Sequence, residues 1–170
     1  MKPQFIEIPL KNEFSFSVMN YVRPYFHNPI HFHSTFELTL ITQGQGIRIA
    51  GDHIEQFQED DLVLMGSKLP HQWKNDPYCR SINSKSISKA IVLQFREDCF
   101  GKGFFQIPEL FGIHQMLNNS KRGLKIVGDT HHKTKCYLKK ILREDEVKRI
   151  ITFLEIMEGL SLSEELIPLA

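Results

Sequence analysis

The segment His31-Phe32-His33-Ser34-Thr35-Phe36-Glu37 places two imidazoles and a carboxylate close together in the chain. In an extended strand the side-chain direction repeats every two residues, so positions 31, 33 and 37 share a face. Phe32, Phe36, Leu38 and Leu40 then take the other, apolar face, which assigns the polar trio to a polar-lined barrel interior. Ser34-Thr35 can carry a bend, so the register between His33 and Glu37 depends on whether the strand runs straight. His71 opens a later strand after the loop Gly66-Ser67-Lys68-Leu69-Pro70. Together His31, His33, Glu37 and His71 make a set of borderline-to-hard donors that suits a divalent metal (Fe, Mn, Ni or Zn) and leaves coordination positions open. The same face serves an organic ligand equally well. Thr39 shares the face of Glu37 and adds a hydroxyl, while Trp73 shares the face of His71 and can stack on a sugar or an aromatic effector. Core filling by Trp73 and an ordinary half-buried strand position for Thr39 are the plain alternatives.

The elements that must position these residues follow from periodicity. Phe14, Phe16 and Val18 alternate with Ser15, Ser17 and Met19, the pattern of a strand with one buried face. Phe36 to Thr42 is a β-branched and aromatic run ending at Gln43-Gly44-Gln45-Gly46, which predicts a tight hairpin with Ile47 to Ala50 as the returning partner. Gly51-Asp52 is a second turn, leading to His53 through Phe57. Leu62 to Met65, His71 to Lys74 and Ile87 to Phe95 complete the strands, with the polar stretch NSKSISK as an exposed loop before the last. Many short strands at this spacing indicate a sandwich or barrel. Beyond residue 100 the spacing turns helical. Leu110, Phe111, Ile113, His114 and Leu117 follow Pro108, and Tyr137, Leu138, Ile141 and Leu142 mark a second apolar face. Val147, Ile150, Ile151, Leu154 and Met157 form a third stripe, which the barrel or another subunit must cover. The division expected is residues 1–100 as a barrel with an N-terminal arm and 101–170 as a helical extension.

Composition narrows the function classes. The 170 residues hold 21 Lys and Arg against 20 Asp and Glu, so the net charge of +1 gives no field to coat nucleic acid or anionic lipid. Cys79, Cys99 and Cys136 are odd in number and lack C-x-x-C spacing, which suits a reducing compartment and a cytoplasmic location. No apolar run is long enough for a membrane span. Residues 121–150 carry a local excess of Lys and Arg that reads as a solvated helix surface, and His131-His132 reads as surface too. There is no nucleophile elbow, P-loop or dinucleotide fingerprint to support acyl, phosphoryl or hydride transfer.

The spacing His31-x-His33-x3-Glu37-x6-Gly44 resembles the first cupin motif, and His71-x3-Asn75 resembles the end of the second. The proline and glycine usual before that second histidine are replaced here by Gly66 and Lys68. The fold this resemblance implies is mainly β with C-terminal helices: a cupin double-stranded β-helix, or jelly-roll barrel, followed by an α-helical dimerisation segment. With DDLVLMGSKLPHQW, the strand ending IVLQFREDCFG and the helices after it, the chain is similar to the N-terminal domain of AraC-type transcriptional regulators. The resemblance implies a small-molecule effector in the barrel, a homodimer through the last helix (Val147, Ile150, Ile151, Leu154 and Met157), and DNA contacted only by a C-terminal helix-turn-helix domain outside this sequence. Ile167-Pro168-Leu169-Ala170 is expected to be the start of a linker. A stand-alone metal-dependent cupin enzyme, a dioxygenase or isomerase using the same four ligands, is the other class these residues allow.

Overall fold

The computed structural model describes residues 2–9, 14–76 and 87–170; Cys79 and residues 83–86 of the expected NSKSISK loop lie outside them. Nine strands form the first part: β1 (Gln4–Phe5), β2 (Phe16–Arg23), β3 (His31–Phe32), β4 (Phe36–Gln43), β5 (Gly46–Ala50), β6 (His53–Phe57), β7 (Leu62–Met65), β8 (His71–Asn75) and β9 (Ser88–Phe95). Three helices follow, α1 (Phe111–Asn119), α2 (Gly128–Ile141) and α3 (Glu146–Ser161), interleaved with β10 (Leu124–Ile126) and closed by β11 (Leu166–Pro168). The strands make two sheets, one ordered β1-β3-β8-β5-β6 and the other β11-β10-β7-β4-β9-β2.

The six-stranded sheet has two chemically different faces, as period-2 alternation requires. Phe36, Leu38 and Leu40 of β4, Leu62 and Leu64 of β7, and Ile91, Leu93 and Phe95 of β9 join one buried cluster with Ile113, Met116 and Leu117 of α1, Leu138 and Ile141 of α2, and Phe153, Ile156, Met157 and Leu160 of α3. The helices therefore cover this face. Residues of opposite parity, Ile41, Val63, Met65, Ala90 and Val92, form a second cluster with Ala50, Phe57, Leu69 and Trp73 of the segments bearing the other sheet. Glu37, Thr39 and Gln94 belong to the same parity.

Several expectations are corrected. The glycine-rich turn after β4 is not a hairpin: β5 pairs with β6 and β8, while β4 pairs with β7 and β9, so residues 44–45 carry the chain from one sheet to the other. Gly46 belongs there because a Cβ would sit 2.1 Å from the Lys74 carbonyl oxygen, so only glycine lets β5 lie against β8. The turn at Gly51-Asp52 is a true hairpin, with Gly51 at φ 62°. Residues 166–168 are not linker but an edge strand on β10, with Leu169 and Ala170 donating their N–H groups to Gly123 and Arg122 carbonyls. The second sheet is thus completed by strands from beyond residue 100.

On α3 the apolar residues occupy two faces. Phe153, Ile156, Met157 and Leu160 are buried, and Leu154 packs beside them. Met157, at 0% exposure, belongs to the chain's own core, so it cannot be part of the dimer stripe expected from the sequence. Val147, Ile150 and Ile151, at 65%, 38% and 52%, face outward.

Several basic residues of the 121–150 stretch have acidic neighbours. Lys125 pairs with Glu55, Lys135 with Asp60 and Lys140 with Glu144 and Glu155. Beneath the sheet edge Arg48 is fully buried and paired to Asp61 and Glu55, a network no motif had flagged.

Candidate functional site

The chain bends at residues 33–35, between β3 and β4, so the histidines and Glu37 are not on one continuous strand. The bend nevertheless brings them together. His31 pairs in register with His71, and one ring nitrogen from each of His31, His33 and His71 lies within 4.8 Å of the others. Lys68 supplies a main-chain tie: its N–H donates to the His33 carbonyl at 2.7 Å. It sits at φ 66°, a left-handed conformation that a non-glycine residue rarely takes, at the position where the cupin resemblance expects glycine.

Hydrogen bonds fix the rings. Nδ1 of His31 lies 2.9 Å from the Pro29 carbonyl and Nδ1 of His71 lies 2.8 Å from that of Leu69, so both donate through Nδ1 and keep Nε2 free. His33 Nδ1 has both the Thr35 carbonyl (3.0 Å) and the Thr35 hydroxyl (2.8 Å) beside it, and its Nε2 faces Glu37 Oε2 at 3.1 Å. Thr35 can therefore serve either tautomer, as hydroxyl donor when Nε2–H points to Glu37 and as carbonyl acceptor when the proton sits on Nδ1.

Glu37 is buried, with Oε1 receiving the Thr39 hydroxyl at 2.8 Å and Oε2 receiving the Gln94 amide at 2.7 Å. Burial opposes its ionisation, but the His33 hydrogen bond, the neighbouring imidazoles and the Gln94 amide outweigh it and hold the carboxyl below the usual range. Burial pushes His71 the other way, down to about 4 despite the attraction of Glu37, so this ring is neutral at neutral pH. His71 Nε2 is 3.9 Å from Glu37 Oε2 and has no hydrogen-bond partner. A neutral imidazole with Nδ1 on a backbone carbonyl and a buried, orphaned Nε2 is a metal ligand's arrangement. His31, His33 and His71, with Glu37 beside them, thus fit a divalent cation; bound there, it would supply Lewis acidity.

Next to this cluster lies a cavity of about 250 Å³ between the sheets. Its walls include His31, Glu37, Thr39 and Trp73 from the expected set. Gln94, Tyr21, Phe26, Asn28, Ile41, Ala90 and Val92 were not singled out from the sequence, and neither were Ile6 and Ile8. The last two arrive because β1 lies parallel on β3, with Ile6 N–H bonded to the Phe32 carbonyl at 2.9 Å. Asn75, which closes the second cupin-like motif, positions Phe26: its Oδ1 accepts from the Phe26 N–H and from the Ser88 hydroxyl, and its Nδ2 donates to the Gln45 carbonyl. Gln94 had one readable signal, an amide inside the otherwise apolar IVLQF. A larger cleft of about 910 Å³, lined by Glu55, Asp61, Lys74, Lys125, His131 and others, lies apart from the three-histidine cluster.

Among solved structures, ToxT from Vibrio cholerae is similar to this chain. Its structure matches 88% of this chain with a TM-score of 0.50 at 9% identity. Over the matched residues the two share a fold. This chain spans 60% of ToxT's length, and at that identity the likeness is one of fold. The AraC-like transcriptional activator CuxR is also similar, over 85% of this chain and 47% of its own, at 9% identity and a TM-score of 0.47. No established family pattern matches the sequence, and no curated protein does. No described helix is long and apolar enough to cross a membrane.

Proposed function

We propose that this chain is the effector-sensing and dimerisation part of an AraC-type transcriptional regulator acting in the cytoplasm. A small molecule binds in the cavity between the sheets of a cupin-type barrel, two copies pair through the outer face of α3, and a helix-turn-helix domain outside these residues contacts DNA. The observation that carries this reading is the two-sidedness of β4. Glu37, Thr39 and Ile41 line the cavity, while Phe36, Leu38 and Leu40 of the same strand pack into the cluster that holds α1, α2 and α3. Packed interiors transmit displacement rather than absorb it, so a ligand that shifts β4 shifts the helices. It biases the dimer only by binding its two arrangements unequally.

Trp73 is the single tryptophan and lines the cavity, so its emission reports occupancy without a label. Compounds that change this emission are expected to move the monomer–dimer equilibrium in sedimentation about fivefold or more, within the usual range of allosteric coupling. Cavity binders that leave the equilibrium untouched would overturn the coupling. Val147→Lys with Ile151→Lys is expected to yield a monomer that still binds ligand; a persistent dimer would remove α3 from the interface.

The three-imidazole cluster favours a second reading, a metal-dependent cupin enzyme with the ion held by His31, His33, His71 and Glu37. Elemental analysis of the purified chain separates the two readings. A stoichiometric redox metal together with turnover supports the enzyme, and a metal-free chain that binds an organic ligand supports the sensor.

A further inference from the structure

Taking the sensing reading as its base, the charge and hydrogen-bond inventory of the cavity specifies what kind of molecule fits. Among the described lining residues there is no Lys or Arg; Glu37 supplies the one carboxylate and His31 the one imidazole. Glu37 Oε2 is taken by Gln94 and faces His33, but Oε1 receives only the Thr39 hydroxyl. A carboxylate offers about four lone-pair positions, so Oε1 can accept again.

Gln94 adds a second acceptor. Because a carboxylate only accepts, the Gln94 atom 2.7 Å from Glu37 must be the amide nitrogen, which leaves Oε1 as the other end. That oxygen is buried and has no hydrogen-bond partner, and Gln94 lines the cavity. A buried acceptor left without a donor costs free energy, and a ligand donor removes that cost. The rings of Tyr21, Phe26 and Trp73 stand in the same walls, and aromatic rings attract cations as well as packing on apolar surface. The Trp73 indole N–H is likewise buried without an acceptor.

We infer that the cavity binds a small organic cation, an aromatic or alicyclic primary amine whose ammonium donates to Glu37 Oε1 and Gln94 Oε1 while its ring packs among Ile41, Val92 and the aromatic walls. Size bounds the ring. A cavity of about 150 Å³ accepts benzene, so about 250 Å³ takes one ring with a short arm rather than a long alkyl chain. A free carboxylate is disfavoured by the same inventory, since it would bring a second negative charge beside Glu37 with no Lys or Arg among the described lining residues to meet it.

The test uses the 170-residue chain, treated with EDTA so that only its own side chains are read, and follows Trp73 emission with benzylamine, benzyl alcohol and benzoate. These three share a ring and differ in the head. Benzylamine is expected to bind at least tenfold more tightly than benzyl alcohol, the order of a charge-assisted over a neutral hydrogen bond, with benzoate weakest. Glu37→Gln is expected to bring amine and alcohol within about twofold of each other. Gln94→Met, which keeps Glu37, is expected to lose part of the amine's advantage and serves if Glu37→Gln does not fold. Benzoate binding as well as or better than the amine overturns the inference, as does an amine preference that survives Glu37→Gln. If none of the three binds while another compound shifts Trp73 emission, the amine class falls and the sensing reading stands.

Discussion

The two faces of the six-stranded sheet are built from the same strands and to opposite ends. On the helix side, β4, β7 and β9 present Leu38, Leu40, Leu62, Leu64, Leu93 and Phe95, all essentially inaccessible, and Phe95 and Phe16 meet Phe153 at ring distances of 5.0 and 4.7 Å. On the inner side the alternate residues mix Val63, Met65 and Val92 with Glu37, Thr39 and Gln94. The first face packs against the apolar side chains of the three helices and gains from dispersion and burial. The second keeps Gln94 Oε1 buried without a partner, and across from it β8 of the other sheet carries two more such atoms, Trp73 Nε1 and His71 Nε2. An unmet buried polar group costs about 1–3 kcal/mol, so the inner face gives up stability to hold groups ready for a ligand. One sheet thus separates holding the fold from recognising a molecule.

The largest effect expected is on the helix side. Phe153→Ala removes a ring in contact with Phe16, Phe95 and Phe100 and should cost about 3–5 kcal/mol, read as a lowered denaturant midpoint. A loss under about 1 kcal/mol would show that this face is not the one that holds the fold. Next comes the salt-bridged edge: Arg48→Met leaves Asp61 buried and unpaired and should cost about 3–5 kcal/mol, again by chemical unfolding.

The inner face should respond less. Gln94→Met removes an orphaned acceptor along with one bond to Glu37, so the two changes oppose and the net should stay within about 1 kcal/mol. A loss as large as that of Phe153→Ala would erase the distinction between the faces. The smallest change is chemical. Burial against the helix-side cluster pushes the Cys99 thiol up to about 12, and the reactive form is the thiolate. At pH 8 Cys99 should therefore alkylate at least tenfold more slowly than exposed Cys136, as peptide mass spectrometry would show.

Much of this division was legible in the sequence. Period-2 alternation in Phe36 to Leu40 already separated Glu37 and Thr39 from Leu38 and Leu40, because one strand residue cannot serve both faces. The grouping of His71 with His31, His33 and Glu37 was read from donor type and the cupin resemblance, though not its strand pairing with His31, and the helical character of residues after 108 from apolar periodicity. The failures have physical causes. Gly44 and Gly46 look the same whether a turn folds a strand back or passes it to another sheet, since glycine supplies the required freedom in both. On α3 the periodicity revealed apolar residues but not which of two apolar faces met the core, and Met157 fell to the inner one. Residues 166–168 are too short, and carry a proline, so β11 shows no strand pattern. Ile6, Ile8, Tyr21 and Phe26 reach the cavity through strand pairing and a loop pinned by Asn75, which no local pattern encodes.

The left-handed Lys68 carries a consequence for how the cluster can vary. The link between the loop before His71 and the bend at His33 is a main-chain bond, so it does not depend on the lysine side chain. What the lysine adds is conformational cost, about 1 kcal/mol or more for an L residue at positive φ. Glycine at 68 would keep the joint and release that cost. The histidine cluster is therefore joined at a position where the backbone shape is fixed and the side chain takes no part in the joint.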